Sequence, residues 1–114
     1  MSGSDVVPTA RVWMEIAGKK CHGAELGNGP VDATFNAICK LTGRTPKVLD
    51  FSITSITGGT DALGRATIRV EEGENVALGQ GSHEAVFVAS ARAMVNALNR
   101  LDFMARKRDL SLLV

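Results

Sequence analysis

One pattern occurs twice along this chain and restricts its fold more than any other feature: strand, charged turn, strand, Gly-x-Gly, helix. In the first copy Val12, Met14 and Ile16 alternate with Arg11, Trp13 and Glu15, the period of two that gives a strand one buried face. Ala17 to Lys20 reads as a turn, and a second strand runs from about Cys21 to Leu26. Gly27-Asn28-Gly29-Pro30 then opens a helix with Val31, Phe35, Ile38 and Leu41 at helical spacing. Pro30 suits the first turn, where an N–H has no intrahelical partner, and Gly43 with Pro46 ends the helix near Thr42. A strand from Lys47 to Thr57 follows, with Leu49, Phe51 and Ile53 on one face and Asp50, Ser52 and Thr54 on the other. The loop Gly58 to Gly64 leads to the second copy. There Ala66, Ile68 and Val70 alternate with Arg65, Thr67 and Arg69, Glu71 to Glu74 turns, and Asn75 to Gln80 returns. Gly79-Gln80-Gly81-Ser82 precedes a helix to about Arg106, with Ser82 as N-cap and Glu84 favouring the helix dipole. Phe87, Ala91, Met94, Leu98, Leu101 and Ala105 make its apolar stripe.

Aligned, the copies match Gly27 and Gly29 with Gly79 and Gly81, and Asn36-Ala37 with Asn96-Ala97. Two copies are too few for a solenoid. They predict an α+β fold: a two-layer domain of antiparallel strands with two helices, an internal pseudo-duplication of a ββ(β)α unit. The 114 residues suffice for one domain, expected over residues 10–106. Residues 1–9 read as a linker or cloning remnant, and 107–114 as a tail, either a disordered end or a strand on a partner. A formal net charge of +1 points to neither nucleic acid nor an anionic membrane. Charges interrupt every apolar stretch before the ~20 residues that a bilayer needs. With no signal peptide, Cys21 and Cys39 read as free thiols in a reducing cytoplasm.

Catalysis needs a nucleophile, a paired acid and base, or a metal, and the chain sets out none of these. His22 and His83 share no ligand spacing with each other or with either cysteine. The glutamates of Glu71 to Glu74 read as a solvated turn, and Arg106-Lys107-Arg108 as cations complementing a helix end. The expectation is therefore a binding domain, not a catalyst, with no cofactor and no metal of its own. Each Gly-x-Gly stands between a strand and a helix, where outward N–H groups can hold a carboxylate. Spacing alone favours the simpler alternative of tight turns. Val48, Phe51 and Ser55 can line an apolar pocket, with Ala62 and Gly64 leaving room, or else belong to the core and a turn.

Three motifs in register narrow this further. Gly27-Asn28-Gly29-Pro30-Val31-Asp32-Ala33, Gly58-Gly59-Thr60-Asp61-Ala62-Leu63-Gly64, and Ala89-Ser90-Ala91-Arg92-Ala93 with Asn96-Ala97-Leu98-Asn99-Arg100 occur in that order. Over about residues 10 to 105 the chain resembles the C-terminal regulatory domain of 2-isopropylmalate synthase and its relative citramalate synthase. The resemblance implies two βββα-type units, a homodimer, and an end-product amino acid bound at the dimer interface for feedback inhibition. It implies an upstream catalytic barrel with a divalent metal and acetyl-CoA as substrate, and no chemistry in this segment. The effector contacts it implies are Gly27, Asn28, Gly29, Val31, Ala33, Val48, Phe51, Ser55, Ala62, Gly64, Glu84 and Val86. Helix-start N–H groups suit the effector's carboxylate, Val31, Val48 and Phe51 its aliphatic side chain, and Asp32, Asp61 or Glu84 its ammonium. Leucine is the effector expected; isoleucine, as in citramalate synthase, or a dimerisation module without an effector are the alternatives.

Overall fold

The computed structural model describes residues 8–16, 18–57 and 62–113, with side chains described except at 57, 62 and 106–113. The expected turn residue Ala17, the loop 58–61, the side chain of Ala62, the basic run Arg106-Lys107-Arg108 as side chains, and residues 1–7 lie outside that description. The chain is α+β and divides into two compact units, Met1–Thr45 and Pro46–Val114. The first holds β1 (Thr9–Ile16), β2 (Lys19–Leu26) and α1 (Pro30–Thr42). The second holds β3 (Lys47–Thr57), β4 (Ala62–Glu72), β5 (Asn75–His83) and α2 (Val86–Leu113).

In the first unit β1 and β2 form an antiparallel hairpin, with Trp13 opposite His22 and Met14 opposite Cys21. Gly18, at φ 84°, makes the turn, a conformation that a side chain would strain. The expected alternation holds along β1: Val12, Met14 and Ile16 are half-buried, and Arg11, Trp13 and Glu15 are exposed. Helix α1 starts on Pro30, ends on Gly43 in the left-handed region at φ 69°, and buries Ala33, Phe35, Ala37 and Ile38. Burying side chains as large as Phe35 and Ile38 contributes about 1.5–3 kcal/mol each. Leu41 packs at the bare backbone of Gly23, where a Cβ would sit 3.1 Å from its Cδ2.

In the second unit the sheet order is β3-β4-β5, all antiparallel, with Gly73 at φ 60° turning β4 into β5. Three expectations are corrected here. Gly79, Gly81 and Ser82 lie within β5, not in a turn, so Ser82 is no N-cap, and Glu84 sits before α2, not in its first turn. The physical reason is packing: a Cβ on Gly79 would collide with the Ala93 carbonyl, and one on Gly81 would lie 2.5 Å from that of Ala89. These glycines let the helix backbone settle onto the strand. Secondly, the buried stripe of α2 is Ala89, Ser90, Ala93, Met94, Ala97, Leu98 and Leu101; Phe87, expected on it, is 52% exposed. Small residues line the stripe because the helix rides so close. Thirdly, α2 continues to Leu113 and so passes the expected end near Arg106.

Two kinds of contact recur, once within each unit. The Asn36 side-chain amide donates to the Leu26 carbonyl (2.8 Å), and that of Asn96 to the Gln80 carbonyl (2.6 Å). A Cβ on Gly27 would collide with the Ala33 amide nitrogen, and one on Gly81 would lie 2.7 Å from that of Ala93. These contacts equate Gly27 with Gly81, so the sequence pairing of Gly27 with Gly79 is two residues out of step. The difference is absorbed by a longer β5 and an earlier helix start, since six more residues separate Gly81 from Asn96 than Gly27 from Asn36.

Candidate functional site

The residues expected to hold an effector divide between the two units, and each group follows from local geometry. In the first unit Gly27, Asn28 and Gly29 join β2 to α1. The Gly27 N–H donates to the Pro8 carbonyl (3.1 Å), and its Cα is pressed against the turn Asp32–Ala33. Glycine is required at 27 by packing. Gly29 differs: it is the N-cap at φ −157°, extended backbone that any residue adopts, and a Cβ there would meet nothing within 4 Å. The Asn28 N–H donates to the Asp32 carboxylate (2.8 Å), so that loop donor is engaged within the chain itself. Val31 is half-buried and Ala33 fully buried, which puts Ala33 in the core of the unit and not on its surface.

In the second unit the group gathers on one face of the sheet. A register shift between Val48 and Asp50 makes Leu49 an extra residue, so Val48 faces Val70, Phe51 faces Ile68 and Ser55 faces Gly64. Without that bulge Val48 and Phe51, an odd number apart, point to opposite faces. It also takes Leu49 out of the alternation with Phe51 and Ile53 that the sequence suggested. Asp50 turns to the other face, where it pairs with Arg69 at 2.6 Å. Helix α2 packs chiefly on β5 and on β4. The helix-side face of β3 is thereby left partly open: Val48 and Ile53 are each 41% exposed.

Gly64 lies in β4, not in a loop, between Ser55 of β3 and His83 of β5. A Cβ on it would make ordinary contacts: 3.6 Å to the His83 carbonyl, 3.9 Å to Val86 Cγ2 and 4.0 Å to Ile53 Cγ2. The fold therefore has no need of glycine at 64. Ile53 and Val86 wall the space above it, and sequence reasoning missed Ile53 as a lining residue although its alternation with Phe51 marked the face. Glu84 is exposed in the bend after β5, where the Ala85 N–H donates to His83 Nδ1 (2.9 Å). Ala62 contributes its backbone to the start of β4. Among the described residues no group of three or more His, Cys, Asp or Glu side chains is placed to hold a metal ion. Burial pushes the Cys39 thiol above its ordinary range, which disfavours the reactive thiolate. No helix among the described residues is long and apolar enough to cross a membrane.

The family model of the LeuA allosteric (dimerisation) domain matches residues 1–102. The 2-isopropylmalate synthase of Nitratidesulfovibrio vulgaris is 47% identical over 100 residues, 88% of this chain and 20% of that protein. That of Solidesulfovibrio magneticus is 44% identical over 97 residues, 85% of this chain and 19% of that protein. That of Syntrophus aciditrophicus is 44% identical over 106 residues, 93% of this chain and 20% of that protein. The chain spans about a fifth of the length of these relatives.

Proposed function

The chain belongs to the LeuA allosteric (dimerisation) domain family, and on that premise we propose that it is the feedback-sensing segment of a 2-isopropylmalate synthase. In this reading it binds leucine where two copies meet and performs no chemistry itself. The condensation of acetyl-CoA with a 2-oxo acid, and the divalent metal that serves it, belong to a catalytic barrel elsewhere in the longer protein. Leucine is preferred over isoleucine because the three relatives compared above are 2-isopropylmalate synthases. The amino-acid-binding domain is proposed to span residues 10–106.

The observation that carries the reading is Gly64. A glycine inside a strand costs stability, since it surrenders entropy and packs nothing. Here the surroundings would accept a methyl group at ordinary contact distance. Glycine at such a place keeps a space open between Ile53 and Val86, on a face that Phe51 and Val48 make apolar. An aliphatic side chain fits that space, and Ser55, directly opposite Gly64, offers a hydroxyl at its rim. Inhibition then follows if leucine binds the less active arrangement of the whole enzyme more tightly than the active one.

The test is the Gly64→Ala variant. At a leucine concentration 100 times the Kd, a ligand that binds only the native state adds about 2.7 kcal/mol, a rise of several degrees in Tm. The expected result is that Gly64→Ala matches the parent without leucine and loses most of that rise. An undiminished rise in the variant contradicts the reading.

A further inference from the structure

Each unit carries an asparagine and, one turn later, a cation on its helix: Asn36 and Lys40 on α1, Asn96 and Arg100 on α2. Both asparagines donate to the strand carbonyl one residue before the equated glycines, Leu26 before Gly27 and Gln80 before Gly81. That register equates Lys40 with Arg100 and Glu25 with Gly79. In the first unit the ion pair is complete, with Glu25 on Lys40 at 3.3 Å. In the second, glycine is obligatory at 79, because a Cβ there would collide with the Ala93 carbonyl. Arg100 therefore receives no carboxylate from the strand, and it has no ion-pair partner among the described residues. Beside it lies a cleft of about 560 Å³, lined by Leu78, Gln80, Asn96, Asn99 and Arg100 along the outer edge of β5. That volume is in the range of small-molecule sites.

We infer that this cleft binds a small organic carboxylate, a monoacid with a short aliphatic body. The carboxylate takes the place that Glu25 takes in the first unit, against the Arg100 guanidinium, whose fork suits two oxygens. The Asn99 side-chain amide is a further donor, and Leu78, 50% exposed, gives the apolar wall. The backbone adds to these. The β4–β5 hairpin closes on Glu72 and Asn75, and alternation from there leaves Gln80 outside the hydrogen-bonded pairs, with its N–H turned to the outer edge. The same edge favours a small acid over an acidic peptide adding as a strand. Such a strand needs the outward carbonyls of Gln80 and Ser82, and the Asn96 amide (2.6 Å) and the Arg92 guanidinium (3.1 Å) occupy both. The cleft is distinct from the space above Gly64, which opens beside β3 at the opposite edge of the sheet.

Isovalerate is the probe, since it has a carboxylate and a branched aliphatic body but no ammonium group. Titrated into the isotope-labelled chain and followed by amide NMR, it should shift the Gln80 backbone and Asn99 side-chain signals saturably. Arg100→Gln should raise the Kd read from those signals about tenfold or more. Arg100 is exposed, so the variant should keep the parent's Tm. Isovaleramide, alike in shape but uncharged, should leave the same signals in place. Gly64→Ala should leave isovalerate binding at Arg100 unchanged, so failure of this site and failure of the leucine reading are distinguishable. No shift at these amides, an equal response to isovaleramide, or an undiminished affinity in Arg100→Gln overturns the proposal. So does an acidic peptide, acetyl-Val-Glu-Val-amide, that shifts these signals where isovalerate does not.

Discussion

Gly79 and Gly81 carry no side chain because helix α2 occupies the space where one would stand, with the Ala93 and Ala89 carbonyls against them. Gly81→Ala should therefore force strand and helix apart and cost about 1–3 kcal/mol, read as a lower urea midpoint at unchanged slope. Gly29→Ala, with nothing within 4 Å of its Cβ, should leave that midpoint in place. The pair of variants separates glycines that the fold requires from glycines that it merely tolerates. Asn96 is a comparable case among polar residues. Its amide satisfies the Gln80 carbonyl on the outer edge of β5, and the Arg92 guanidinium does the same for the Ser82 carbonyl (3.1 Å). Asn96→Ala should cost about 0.5–1.5 kcal/mol in the same assay. Cys39 has a titration to match its burial. Its thiol pKa is raised in the fold, so it should alkylate more slowly than free cysteine at mildly alkaline pH. The sign on stability follows: the neutral thiol is favoured below the unfolded pKa, and that advantage is lost as pH rises through the folded one.

At the scale of elements, the parts most legible in the sequence are those where one force acts alone. Alternation in β1 and β4 reports one-sided burial, and Pro30 with Gly43 bounds α1 at the residues that the structure uses. The bulge at Leu49 was not legible, because Leu49, Phe51 and Ile53 alternate regularly with Asp50, Ser52 and Thr54, and nothing in that alternation marks Leu49 as the residue left out of the pairing. Yet that bulge is what lets Val48 join Phe51, so the resemblance found the pair where the periodicity alone separated them. Deleting Leu49 should restore a regular register with Val48 still opposite Val70 on the Phe51 face, so leucine binding, measured by thermal shift, should be retained. The second Gly-x-Gly misled for a different reason. In sequence a glycine that frees the backbone looks the same as a glycine that admits a helix, and only the packing partner tells them apart. The start of α2 shared that ambiguity, since Ser82 has the chemistry of a cap but lies within β5. Of the expected site, Gly64, Phe51, Ser55 and Val48 share one face of the second unit's sheet, with Val86 close by Gly64, whereas Ala33 serves the core.

The whole molecule consists of two compact units, and the second leaves an apolar sheet face partly open. The family is one of dimerisation, and the chain spans about a fifth of the length of each related synthase. Allosteric coupling is reciprocal, so under the proposed function leucine must bind more weakly when the catalytic part holds its active form. The isolated chain lacks that opposing influence and therefore suits direct measurement of the binding step. Isothermal titration of the chain with leucine and, separately, isoleucine tests the central claim. Saturable binding of leucine, tighter than that of isoleucine and weakened at least tenfold by Gly64→Ala, is the result predicted. Tighter binding of isoleucine, or no heat of binding from either amino acid at millimolar concentration, contradicts it.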